Sequence, residues 1–104
     1  MILTSTDTVA GREIVETLGL VRGNTVRVKH LGKDIIAAFR NLVGGEVSEY
    51  TELLSEARSQ ALARMVKQAE ELGANAVVGV RFTTAQVMTA AAEIMAYGTA
   101  VKLK

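Results

Sequence analysis

The sequence contains no cysteine, no proline and no tryptophan, and its one histidine is His30. The missing thiols remove disulfides, thiolate metal sites, iron–sulfur clusters and cysteine nucleophiles in one step. A serine–histidine triad, or a structural zinc site of several imidazoles, would have to draw on that single ring, so neither is expected in its common form within one chain. Without proline, the turns fall to glycine, at Gly19, Gly23-Asn24, Gly32, Gly44-Gly45, Gly73 and Gly98. Excess charge is also missing. Twelve Lys and Arg against eleven Asp and Glu leave a formal charge of +1, too little for non-specific nucleic-acid binding unless the basic groups are strongly segregated. No long apolar run exists either. The longest charge-free stretch, Phe82–Ala92, carries Thr83, Thr84, Gln86 and Thr89 and is too short and too polar to cross a bilayer. The amino terminus, MILTSTDTVAGREIVE, has no basic segment leading into an apolar run. A soluble, cytoplasmic protein without nucleic-acid or membrane partners is the expectation.

What the chain does have is apolar content. Hydrophobic residues make up 49% and charged residues 22% of 104 positions, which excludes intrinsic disorder and predicts one folded domain over 1–104. There is no linker, low-complexity segment or internal repeat to divide it. Ile2–Thr4 is a short β-prone start, and Leu18–Val28 carries β-branched stretches around a Gly23-Asn24 turn signal. Lys33–Val43 places Ile36, Phe39, Arg40 and Val43 at helical spacing before the Gly44-Gly45 stop, which predicts a short helix. Ser48–Leu72 predicts a long one, with Tyr50, Leu54, Ala57, Ala61, Met65, Ala69 and Leu72 on one stripe and Gly73 ending it. Ala76–Phe82 and Ile94–Leu103 read as strands, and the fold class is α+β.

These last two strands do not alternate apolar with polar. Ala76, Val78, Val80 and Phe82 oppose Val77 and Gly79, while Ile94, Ala96, Gly98 and Ala100 oppose Met95, Tyr97, Thr99 and Val101. A sheet with two apolar faces needs cover on both. Two helices, one short, cover about one face of a four- or five-stranded sheet at helix diameters of about 10 Å and strand spacings of about 4.8 Å. The other face calls for another copy, so a homo-oligomer with packed or edge-paired sheets is expected.

Few residues suggest chemistry. Arg58 falls by helical periodicity in the middle of the Leu54, Ala61, Met65 stripe, where a guanidinium needs an acidic partner, carbonyl acceptors or a bound anion. Arg40 sits likewise among Ile36, Phe39 and Val43, with Asp34, Glu46, Glu49 and Glu93 as acidic candidates. Each arginine is therefore either a structural or intersubunit ion pair or part of an anion site. Glu93 interrupts the apolar segment AAAEIMAYG and is either a solvated strand end or an interface carboxylate. Tyr50 reads as a core ring or a ligand contact. His30 is a metal ligand only if symmetry gathers several copies. Neither G-x-x-x-x-G-K-[ST] nor G-x-G-x-x-G is present, so Gly44-Gly45 is a helix stop and not a phosphate loop. No nucleophile, base and orienting group can be named together, and no catalytic role is expected.

The succession Asp34, Arg40, Gly44-Gly45, Tyr50, Leu54, Ala57-Arg58, Ala61, then LGANAVVGVRF and finally AYGTAVKL, resembles the YbjQ-like family across nearly the whole chain. These are small, largely uncharacterised prokaryotic proteins that carry a heavy-metal-binding label. The resemblance implies a dodecin-like α+β subunit, with a curved and mainly antiparallel sheet wrapped on a long helix, in a ring-shaped homopentamer. It also implies a metal ion as a cofactor. Where the family often has a basic residue after the glycine pair this chain has Glu46, and where it often has an acid after VVGV this chain has Arg81. The resulting expectation is an oligomeric module that binds a small ligand or ion between subunits, with Arg40, Tyr50, Arg58 and Glu93 as candidates. The alternative is a heavy-metal-binding protein using ring-related carboxylates or His30.

Overall fold

The computed structural model of the chain describes residues 1–28, 48–88 and 91–104. Their elements are β1 (Ile2–Leu3), β2 (Ile14–Val28), α1 (Ser48–Glu71), β3 (Ala76–Met88) and β4 (Ala91–Leu103). The helix has 24 residues and is about 36 Å long at 1.5 Å per residue. It contains neither glycine nor proline and is rich in Ala, Leu, Glu, Gln and Arg, all good helix formers. It stops at Gly73, whose φ of 83° suits a residue without a β-carbon. There the Ala74 amide donates to the Ala69 carbonyl at 3.1 Å and the Gly73 amide to the Glu70 carbonyl at 3.0 Å. These are the paired bonds of a Schellman ending.

The strands form an open four-stranded sheet in the order β1-β3-β4-β2, with β1 parallel to β3 and the other pairs antiparallel. Side chains of successive strand residues point to opposite faces, and each face has its own cluster. On one face Val21, Val77, Ile94, Ala96 and Ala100 pack against Ala57, Ala61, Met65 and Ala69 of α1. On the other, Ala76, Val78, Val101 and Leu103 are covered by Ile2, Val9 and Ile14. The second face is thus covered partly by the amino-terminal segment of the same chain. Asn75 ties this end together: its Nδ2 donates to the Leu103 carbonyl at 3.0 Å, and its Oδ1 accepts from the Leu103 amide at 2.7 Å.

Two features depart from the patterns in the sequence. Gly23-Asn24 makes no turn, because β2 runs unbroken from Ile14 to Val28. The glycine is there for a different reason. A β-carbon at Gly23 would overlap the Ala61 carbonyl oxygen and the Met65 amide nitrogen and lie 2.8 Å from Arg64 Cβ, so the helix backbone rests directly on the strand. Arg58 is exposed rather than central to the buried stripe. Burial follows Ala57, Ala61, Met65 and Ala69, and a step of four residues advances about 40° around the helix. The stripe therefore slants as α1 crosses the sheet, and at Arg58 the buried side has turned toward Ala57.

The expected dodecin-like subunit, with a curved sheet on two helices in a ring, is corrected. Among the described residues there is one helix, and the sheet is neither closed nor strongly curled. The expected helix over Lys33–Val43 lies outside the described residues. The physical obstacle to closure is at the two sheet ends. β1 has only two residues, and the outer edge of β2 is occupied by the helix: Gln68 Oε1 accepts the Arg22 amide at 2.7 Å, and Arg64 donates to the Asn24 carbonyl. Two ends so treated cannot pair with each other.

Candidate functional site

Of the residues singled out by sequence, the two that are described, Arg58 and Glu93, do not converge. Arg40 and His30 lie outside the described residues, and Tyr50 occupies the first turn of α1 with its side chain outside them. Arg58 is exposed on α1, the element that covers one face of the sheet. Glu93 emerges on the other face, half-buried, with its Oε1 accepting from Asn24 Nδ2 at 3.1 Å. It lies within β4 and is held there by a strand neighbour, so it is not a solvated strand end.

A metal centre can be tested against the donors present. No group of three or more His, Cys, Asp or Glu side chains that could hold an ion occurs among the described residues. Heavy metals favour thiolate and imidazole, and the sequence offers no thiolate and one imidazole. The described part of one chain therefore does not fit a heavy-metal centre. No catalytic constellation is found among the described residues. No helix among them is long and apolar enough to cross a membrane.

What the fold does assemble is a row across three strands. In the sheet register Arg22 of β2 and Arg81 of β3 both lie opposite Tyr97 of the central strand β4. Paired residues share a face, so the three side chains emerge side by side, away from α1. At a strand spacing of about 4.8 Å the two arginine Cα atoms are about 10 Å apart. The next row is Asn24, Met95 and Thr83, and the one beyond it is Val26, Glu93 and Ala85. Toward the other end Leu20 and Val78 both pair with Thr99. The amino-terminal segment stops short of these rows. Leu20 is 70% exposed and Val26 55%.

The arginines are held differently. A register shift between Val78 and Arg81, with Gly79 at a φ of 63°, turns β3 so that the Gly79 and Val80 amides donate to Thr6 and Thr4 at 2.8 and 3.0 Å. Such a bulge re-aims the side chain that follows it. Arg81 Nη1 then donates to the Ser5 and Val80 carbonyls at 2.7 and 3.0 Å. Arg22 is placed by its backbone, through Gln68, and its guanidinium has no hydrogen-bond partner among the described residues. Neither arginine is in an ion pair among those residues. Sequence reading passed over this trio because its members are 16 and 59 positions apart in the chain, and only strand register joins them. The one available signal was Arg81 itself, a cation directly after the apolar run VVGV.

Among the described residues the same register leaves one edge open. Because the Arg22 amide points outward to Gln68, Val21, Gly23 and Thr25 are the β2 residues that bond β4, which leaves Tyr97, Met95 and Glu93 to bond β3. Phe82, Thr84 and Gln86 of β3 consequently direct their amides and carbonyls outward. Among the described residues only the segment Ile2–Thr6 bonds that edge, and it ends at Val80. The positions from Phe82 to Gln86 are exposed and carry no charge.

Comparison with known proteins follows the same outline. A family model described as "Putative heavy-metal-binding" matches residues 1–104. A "UPF0145 protein" of Archaeoglobus fulgidus is 62% identical over 104 residues, covering 100% of this chain and 96% of its own. Another from Pseudothermotoga lettingae is 61% identical, covering 100% and 98%. The crystal structure of a protein of unknown function of the DUF74 family from Pediococcus pentosaceus has a TM-score of 0.61 at 19% identity, covering 100% of this chain and 98% of that one. This likeness is one of fold, and it completes the correction of the dodecin-like expectation.

Proposed function

We propose, for a chain that belongs to the YbjQ family of small, largely uncharacterised prokaryotic proteins, that it is a ligand- or ion-binding module working as an assembly of identical subunits. The observation that carries this reading is the charge-free outer edge of β3 from Phe82 to Gln86. An edge that carries no charge or proline and that no described residue pairs or covers is a template for another strand. The β2 edge is blocked at Arg22 and Asn24 by helix side chains, which directs self-association to β3. Edge pairing leaves the exposed rows of the sheet face available to a ligand, and repeated copies multiply weak contacts. Five subunits is the number to test, as the family resemblance implies. Arg58, exposed on α1, and Glu93, on the sheet face, remain the intersubunit candidates that the described residues contain; Arg40 and Tyr50 complete the set.

Native mass spectrometry of protein purified without a metal-affinity tag tests both halves of the reading. A five-fold species carrying extra non-covalent mass is the expected result, and a clean monomer would overturn it. The second reading follows from the family description, which supports an unidentified metal ion as cofactor. Since one chain's described donors do not fit, carboxylates or His30 would have to meet across copies. Hard or borderline cations suit such oxygen and single-imidazole donors better than soft ones. A cytoplasmic location belongs to the same proposal; with no cysteine, the fold has no use for an oxidising compartment.

A further inference from the structure

Two cations flank a tyrosine on a part of the sheet face that no described residue covers, and they need an explanation in chemistry. Arg22, Tyr97 and Arg81 lie side by side in register across β2, β4 and β3. Packing does not require them, because Arg22 and Arg81 are exposed. The nearby acids do not neutralise them. Glu93 lies two rows away and is engaged by Asn24; Asp7 sits beside Gly79, its Oδ1 4.0 Å from where a β-carbon there would lie. Arg81 is steadied by two backbone carbonyls through a single nitrogen, and its other nitrogens have no partner among the described residues. The Tyr97 ring is half-buried and its hydroxyl has no partner among the described residues. Leu20 and Met95 supply apolar surface on either side of the row.

We propose that this row binds a phosphate monoester carried on a flat aromatic ring. Two planar guanidinium forks match the three terminal oxygens of a phosphate, with geometry as well as charge. The ring of the ligand lies over Tyr97 and the apolar side chains of Leu20 and Met95, where offset stacking adds to burial. The Tyr97 hydroxyl donates to a phosphate oxygen or to water bridging to it. An amine in place of the phosphate is repelled by both arginines. This deepens the binding reading given above and rests on it.

Calorimetric titration of the full chain in its native assembly provides the test. Phenyl phosphate is expected to bind, inorganic phosphate at least tenfold more weakly, and benzylamine not at all. Arg22→Gln and Arg81→Gln are each expected to weaken phenyl phosphate at least tenfold, with Arg81→Lys losing less than Arg81→Gln. Tyr97→Leu is expected to erase the preference for phenyl over inorganic phosphate, and Tyr97→Phe to keep that preference while weakening both, since leucine removes the ring and the hydroxyl and phenylalanine the hydroxyl alone. Thermal melting of each variant verifies that it folds as the parent does. No heat with phenyl phosphate at millimolar concentration, or binding indifferent to both Arg→Gln changes, overturns the site. The two failures are separable. If the native spectrum still shows retained mass while phenyl phosphate gives no heat, the binding reading stands and this site falls.

Discussion

Replacing Gly23 by alanine is the sharpest test of how the helix sits on the sheet. The added carbon would overlap the Ala61 carbonyl oxygen and the Met65 amide nitrogen. Both are main-chain atoms inside α1, so no side chain can swing aside to make room. Either β2 bends or the helix retreats. Retreat by about 1 Å forfeits a quarter to a half of the dispersion energy at each contact, along a seam formed by Ala57, Ala61, Met65 and Ala69. Overpacking in cores costs about 1–3 kcal/mol and occasionally more, and contact with backbone places this case at or above about 3 kcal/mol. Removing a glycine acts in the opposite sense, gaining about 0.5–1 kcal/mol through the unfolded chain and the strand. A net loss is therefore a steric signature. The net loss is then about 2 kcal/mol or more; for a domain of this size about 1 kcal/mol corresponds to roughly 4–8 °C in Tm, so Gly23→Ala is expected to melt at least about 8 °C below the parent. Protein concentration must be matched, because assembly contributes to apparent stability. Gly73→Ala is the control: φ there is 83° and a β-carbon meets nothing within 4 Å, so only the left-handed conformation costs, about 1 kcal/mol. A Gly23→Ala protein within about 0.5 kcal/mol of the parent would refute direct packing of the helix backbone on β2.

Asn75→Ala removes both side-chain bonds to Leu103, at 3.0 and 2.7 Å, and is expected to cost about 2 kcal/mol in urea unfolding. Asn75→Asp keeps an acceptor for the Leu103 amide but sets a carboxylate against its carbonyl, and should fall no closer to the parent than midway; an unchanged midpoint would show that the clamp contributes nothing. Thr84→Pro tests the assembly edge. The Thr84 amide points away from β4 and gives up no ladder bond within the sheet, where proline is tolerated on edges. The native mass is expected to fall from the assembly to a single chain while the far-ultraviolet circular dichroism persists; an intact assembly would move the interface elsewhere.

Local features of this chain were legible from residue order, and non-local ones were not. The long helix and its glycine stop followed from periodicity and from Gly73, because a helix and its ending are built from residues within a few positions of one another. The two-faced character of β3 and β4 was also visible, since strand parity is a property of one segment. What covers those faces was not: Ile2, Val9 and Ile14 do part of what another subunit was expected to do. Gly23 looked like a turn because glycine signals a freed backbone dihedral and a missing side chain equally well, and only the position of α1 decides between them. Arg58 looked buried because a helical wheel assumes a straight stripe, whereas the crossing of helix and sheet makes it slant. Absence of thiols and the near balance of charge were composition, and needed no structure. The juxtaposition of Arg22, Tyr97 and Arg81 depends on the pairing of three strands and on the bulge at Gly79. Register is set by contacts between distant segments, so tertiary structure alone placed those side chains on one face.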